Sequence, residues 1–375
     1  MKIKINRDHL LKSLLLATRS IASKSPDPNL LNVLLTVNER GLSLLGSNGD
    51  LTIKHLTPVR VDDLEVIRIY EEGQALVNAK LFTEIIRRLE GSEVDIEVIE
   101  ETLVNISDGR SDFNINSARP ENYPEFDLEA DDVIFAIDAK DFTKAVDQTA
   151  FAASTKETQP ILTAVHLEAV AGVLVAVATD TARLARKKVE LKDNVDFSVN
   201  VSARTLTDIA RIIEESGVEE IEVAVSDKKI LFDFDNALIS SRLVAGDYPS
   251  TKGIVPKSYN SFLEANATEL IRAMERVALL SNEKERIVKL ALSEGGVRVA
   301  SSNPTKGRAN EPISLCRYSG EPLEILFNAD FVKGAIIACQ SEDVHIEFIG
   351  QLKPFTIRNL QDESQVQIVT PTRSY

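Results

Sequence analysis

The chain has 375 residues, with 43 Lys and Arg against 58 Asp and Glu and a net charge of −15. A 43% apolar share suffices for packed cores and excludes a disordered chain, and the length implies two to four domains. The longest uncharged apolar stretch, Ala169–Ala178, is too short to span a bilayer; no signal-peptide pattern opens the chain; and two cysteines, Cys316 and Cys339, exclude a disulfide scaffold or a Cys-based zinc site.

In chain order the predicted elements form a repeat. Ile3-Lys4-Ile5-Asn6 alternates apolar and polar residues as a strand does, and leads into a helix over 7–23. Val77-Asn78-Ala79-Lys80-Leu81 opens a helix over 79–91, the alternating strand Asp95–Val98 follows, and Tyr123-Pro124 closes the unit. The order then recurs. Phe135–Asp138 leads into a helix over 139–154, Val201-Ser202-Ala203 opens one over 203–216, Glu220–Val223 is the strand, and Tyr248-Pro249 closes. The third round runs from Leu263–Asn266 through a helix over 267–281 and another over 329–340, opened by Phe327-Asn328-Ala329, to His345–Phe348. Asn78, Ser202 and Asn328 read as N-caps, spaced 124 and 126 residues apart. Three α+β units, each with two helices on antiparallel strands, therefore account for the whole chain. The expected domains are 1–129, 130–255 and 256–375, with acidic Glu125–Asp132 and the Pro-, Ser- and Lys-rich Pro249–Ser261 as linkers.

The six predicted helices hold 13 basic and 11 acidic residues, and the remainder holds 30 and 47. Lys140 with Lys144, and Arg272 with Arg276, are i,i+4 pairs on one helix face, and Arg87 and Arg211 occupy matching repeat positions. A single such helix reads as a solvated face. Six sharing the bias point to a common phosphate-facing surface on an otherwise acidic protein, with Lys12, Lys80, Arg87, Arg88, Lys140, Lys144, Arg204, Arg211, Arg272 and Lys333 as its candidates. No catalytic chemistry is legible. The four histidines, His9, His55, His166 and His345, are scattered, and no GxGxxG, Walker or GxSxG motif is present. Asp62-Asp63 and Asp131-Asp132 are adjacent pairs whose side chains point apart. No catalytic residue, metal or cofactor is expected.

Three runs carry a family likeness. Thr179-Asp180-Thr181-Ala182-Arg183-Leu184-Ala185 resembles the TD-x-x-RLA run of the bacterial sliding clamp, the beta subunit of DNA polymerase III. Leu280-Ser281-Asn282-Glu283-Lys284 is similar to the LSNEK run of its third domain, and Val369-Thr370-Pro371-Thr372-Arg373 to its terminal strand. The likeness covers the whole chain. It implies a head-to-tail homodimer closed into a ring, with helices lining the hole and sheets forming the wall. The ring encircles double-stranded DNA of any sequence and tethers the replicative polymerase as a processivity factor. Implied partners are the clamp loader, DNA polymerases and other proteins with short clamp-binding motifs, all cytoplasmic and none a membrane. Lys24 and Lys156 match positions that reach DNA from loops. The implied partner cleft has a wall of Leu162, Thr179, Thr181, Ala182, Arg183, Leu184, Pro249, Ile254, Ile368, Thr370, Pro371, Thr372 and Arg373. Thr370 and Thr372 stand where many members have Met, Leu or Val, Ser250 where Asp is common, and Thr181-Ala182 where a Gly/Ser-His/Tyr pair is usual, so modest partner affinity is expected. The implied subunit contact joins Arg110, Asp112 and Phe113 to Leu279, Leu280, Arg308 and Glu311, with Arg110 facing Glu311 and Asp112 facing Arg308. A clamp-like paralogue outside housekeeping replication is the alternative, and an enzyme on a threefold scaffold is a more distant one.

Overall fold

The computed structural model describes residues 1–129, 133–282 and 285–373. Asp131-Asp132 and the Glu283-Lys284 end of the LSNEK-like run lie outside these residues. The first repeat contains β1 (Lys2–Asn6), α1 (Arg7–Ala17), β2 (Asn32–Asn38), β3 (Gly41–Ser47), β4 (Leu51–Pro58), short β5 (Arg60–Val61) and β6 (Leu64–Glu65), β7 (Ile67–Glu71), β8 (Gly73–Asn78), α2 (Ala79–Arg88), β9 (Glu93–Glu100), β10 (Leu103–Ser107) and β11 (Asp112–Asn116). The second contains β12 (Val133–Asp138), α3 (Ala139–Asp147), β13 (Ala164–Val170), β14 (Val173–Thr179), β15 (Arg183–Glu190), β16 (Phe197–Ser202), α4 (Ala203–Ser216), β17 (Glu220–Val225), β18 (Lys229–Phe234) and β19 (Ala237–Arg242). The third contains β20 (Ser261–Asn266), α5 (Ala267–Ala278), β21 (Ile287–Ser293), β22 (Gly296–Asn303), β23 (Gly307–Ile313), β24 (Cys316–Ser319), β25 (Leu323–Asn328), α6 (Ala329–Cys339), β26 (Asp343–Phe348), β27 (Phe355–Arg358) and β28 (Gln365–Val369). No helix among the described residues is long and apolar enough to cross a membrane.

Side-chain caps fix the helix starts. The Asn78 amide oxygen accepts from the Leu81 N–H, and Asn328 accepts from Asp330 and Phe331. The ends are shorter than the sequence suggests everywhere except α4. α1 stops at Ala17 rather than Ser23, because the Thr18 hydroxyl donates back to the Leu14 carbonyl at 2.7 Å and a 3-10 turn follows over Thr18–Ser20. α3 stops at Asp147 rather than 154, where the Thr149 hydroxyl takes the Ala145 carbonyl at 2.6 Å. α2 ends at Arg88, α5 at Ala278 and α6 at Cys339, where Gln340 turns left-handed at φ 49°.

Two compact units form, Met1–Ala139 with Ile212–Leu243 and Lys140–Arg211 with Val244–Tyr375. The middle repeat is divided between them because strand pairing crosses the repeat boundaries. The first unit holds a sheet ordered β11-β10-β9-β1-β7 and another ordered β12-β17-β18-β19-β4-β3-β2-β8. The second holds β16-β13-β14-β15-β28-β27-β26-β20-β24 and β23-β22-β21-β25. The seams are β4 with β19, where His55 faces Ala237, and β15 with β28, where Arg183 faces Val369. Strand alternation sorts the side chains. Ile3 and Ile5 enter a core with Leu10, Leu14 and Phe82, while Lys2 and Lys4 face out to Glu97 and Asp95. In the second unit Leu263, Leu270, Phe327, Phe348 and Phe355 anchor the core.

Candidate functional site

The turn from β14 to β15 is organised by its own side chains. Asp180 organises it: one carboxylate oxygen accepts from the Ala182 and Arg183 N–H groups, both at 3.0 Å, and the other from the Arg183 guanidinium at 2.9 Å. The Thr179 hydroxyl donates to the Arg183 carbonyl at 2.6 Å and accepts from the Thr181 N–H at 3.1 Å. Those bonds hold Thr181 at φ 78°, a conformation glycine adopts without strain. β28 lies directly alongside β15 as its neighbour in the sheet. The Thr370 N–H donates to the Ala182 carbonyl at 2.8 Å, and the Thr372 N–H to the Leu326 carbonyl at 2.7 Å.

On one face of this joined sheet lies a small apolar cluster of Val177, Leu184, Val366 and Ile368, with Val175, Tyr248 and Val255 against it. Val366 and Ile368 share a face of β28, and the two-residue period puts Thr370 next in that row. Val369, on the other face, belongs to the main core. The Tyr248 ring stacks on His166 at 5.0 Å, and its hydroxyl oxygen accepts from the Thr179 N–H at 3.0 Å. Burial pushes the Tyr248 phenol up to about 12, so it stays protonated. Tyr248 also borders a cavity of about 520 Å³ that runs past Pro249 to Lys252. Leu162 is buried, whereas Pro249, Ile254 and Thr370 are exposed, Pro371 and Thr372 are half-buried, and Arg373 is exposed. Arg183 turns away from solvent between two rings, 5.6 Å from the Phe151 centroid and 4.7 Å from that of Phe331.

Sequence reading missed four residues here. Tyr248 stood out only as a repeat closer, Asp180 only as a motif letter, and Phe151 and Phe331 carried no signal. Lys187 is also unexpected. It is buried, with its ammonium 2.8 Å from Asp362 and 2.5 Å from the Ser364 hydroxyl. Burial alone would raise the Asp362 pKa, but Lys187, Ser364 and Lys144 hold it well below the usual carboxylate range.

The basic residues expected to face DNA separate into two groups. Lys24 and Lys156 are exposed on their loops, and Lys80, Arg204, Arg211 and Arg272 are exposed on helices; none of these six makes a salt bridge among the described residues. Lys140 is exposed near the start of α3. The others are engaged. Arg87 and Arg88 share Glu84, Lys333 meets Glu275 at 2.5 Å, Lys12 lies 3.7 Å from Asp235, and Lys144 lies 3.2 Å from Asp362. The six observed helices carry 12 basic and 10 acidic residues, so the shortened boundaries leave their positive balance intact.

β11 and β23 are outermost in their sheets. Leu279 is 72% exposed just past α5, Phe113 is 38% exposed on β11, and Leu280 is half-buried. Glu311 is held by Arg276 of its own chain, Arg110 by Glu90 at 3.1 Å, and Asp112 accepts from the Asn105 amide at 2.6 Å. Arg308 is exposed. No group of His, Cys, Asp or Glu among the described residues is arranged to hold a metal.

Comparison with known proteins places all three repeats in one family. Models of the DNA polymerase III beta subunit match residue ranges 1–127 (N-terminal domain), 136–250 (central domain) and 252–373 (C-terminal domain). A beta sliding clamp of Halalkalibacterium halodurans is 31% identical over 381 residues, spanning the whole of both chains. The DNA polymerase sliding clamp of Bacillus subtilis superposes with a TM-score of 0.96 at 29% identity, again over both whole chains. A Pseudomonas aeruginosa sliding clamp solved bound to griselimycin superposes at 0.92 with 25% identity and the same full coverage.

Proposed function

The chain belongs to the DNA polymerase III beta subunit family and is a DNA sliding clamp, a processivity factor in DNA replication; we propose the assembly and contacts through which it works. The unpaired strand edges carry the proposal. β4 and β15 each follow a turn capped by an Asx side chain, Asn48 or Asp180, and each pairs with the last strand of the next repeat, β19 or β28. β23 follows the same kind of turn, in which Asn303 accepts from Thr305 and Lys306. Its outer side pairs with no described strand, and neither does that of β11, the last strand of the first repeat.

One edge of each kind is therefore left over. Pairing β23 of one chain with β11 of a second repeats the seam used twice within the chain. It is a heterologous contact, and two chains joined this way close into a ring that hides both edges. Carrying the internal register across sets Arg308 opposite Asn114 and Asn310 opposite Asp112 of the partner subunit. Arg308 and Asp112 are then diagonal neighbours on one face, within reach of each other. Arg110 lies in the turn before β11 and is held by Glu90, and Glu311 is held by Arg276, so the pairing first expected for them is withdrawn. Leu279, Leu280 and Phe113 supply the apolar contact. Lys24, Lys156 and the exposed helix cations meet phosphates without reading bases, which permits sliding.

The apolar surface over the β15–β28 seam, beside the Asp180 turn, receives a short linear peptide with a bulky apolar anchor, carried by polymerases, the clamp loader and other partners. The protein acts in the cytoplasm by tethering, without catalysis. Primer extension on primed circular single-stranded DNA, with the cognate polymerase and loader, tests this. The clamp lengthens the products of a single binding event, and removing residues 370–375 returns them to the clamp-free length. Unchanged lengths after that removal would refute the cleft assignment.

A further inference from the structure

His55, on β4, is only 7% exposed, and its Nδ1 is sealed from solvent with no hydrogen-bond partner. An unpartnered lone pair costs less than an unpartnered N–H, which assigns the ring proton to Nε2. The ring borders a cavity of about 280 Å³ with walls of Leu15, Leu16, Ile212, Phe234 and Ala237. The cross-strand partner of His55, Ala237, lines the same cavity with a side chain that ends at Cβ. On the solvent side two ion pairs, Lys12 with Asp235 and Arg19 with Glu215, neutralise one another and select no net charge in an occupant. Burial, with Lys12 adding to it and Asp235 opposing, pushes the His55 pKa down to about 4, so the ring is neutral near pH 7.

We propose that this cavity is a second ligand site, separate from the peptide cleft, for a small neutral aromatic molecule of one or two rings bearing one hydrogen-bond acceptor, held by Nε2–H of His55. The volume lies at the small end of ligand sites and suits a small molecule; the Ser216 hydroxyl donates to the Ile213 carbonyl and the lining cations are ion-paired, so the His55 donor calls for one acceptor on an apolar body. Quinoline and naphthalene, alike in shape and differing in one acceptor nitrogen, are suitable probes. In titrations of the full chain followed by NMR, quinoline should bind about three- to tenfold more tightly than naphthalene, the worth of one hydrogen bond. His55→Leu should erase that preference while naphthalene still binds. His55→Gln, which keeps an N–H donor, should retain part of it and serves if the leucine variant does not fold. Absence of quinoline binding to the wild type, or a quinoline preference undiminished in His55→Leu, would overturn the proposal.

Discussion

Thr370→Met tests the partner cleft most finely. The Thr370 N–H is fixed to the Ala182 carbonyl, so its side chain continues the row of Val366 and Ile368 beside Leu184. Methionine there replaces a hydroxyl and adds roughly two apolar groups to the wall. At about 0.8 kcal/mol per buried methylene the gross gain is about 1.6 kcal/mol. Ordering a methionine side chain at an interface costs about 0.5–1.5 kcal/mol of that. The net, ~0.1–1.1 kcal/mol, corresponds to a peptide dissociation constant lowered by up to about sixfold. Fluorescence anisotropy with a labelled peptide carrying a Leu or Phe anchor measures it. Leu184→Ala, which deletes part of the cluster floor, should move the constant the other way. If Thr370→Met leaves affinity unchanged or weakens it while Leu184→Ala has no effect, the anchor does not sit on this cluster.

The DNA loops and the buried histidine give two more predictions. Lys24→Glu with Lys156→Glu should weaken association with DNA and make the log–log salt dependence shallower by up to about 3.6 per two-chain ring, roughly 0.9 for each of four lost phosphate contacts, in binding measured across salt concentrations; an unchanged slope removes these loops from the contact. As pH falls from 6.5 to about 4, the unfolded chain protonates at position 55 while the folded ring stays neutral, so this histidine costs stability across that window, up to about 3 kcal/mol. His55→Leu should therefore lose less stability than the wild type between pH 7 and pH 4 in unfolding curves, and parallel losses would show that the ring is not buried neutral.

The repeat was legible because N-caps and alternating strands are local signals. Asn78 and Asn328 cap where their spacing said they would. The helix ends were less legible, since Thr18 and Thr149 have fair helix-interior patterns around them and stop the helix only by turning their hydroxyls back on it. The seams β4–β19 and β15–β28 join residues about 180 apart, and nothing in a strand's own sequence names so distant a partner. Long-range ion pairs were hidden for the same reason. Lys187 reads as a surface lysine until Asp362 arrives beside it, and Glu311 looks free for a neighbouring subunit until α5 brings Arg276 to it. The cleft motif was visible as letters, but its mechanics were not, because Arg183 depends on Phe151 and Phe331 from two other elements.

Ring closure is most directly tested by topology. The protein is loaded onto nicked circular DNA, separated from free protein, and followed after the circle is cut once. A closed ring stays on the circle and leaves from the ends after cutting, whereas Leu279→Asp with Leu280→Asp, which puts charge into the subunit contact, is not retained on the circle at all. Protein that remains bound to the linear DNA, or a double variant retained as well as the wild type, would contradict the encircling ring.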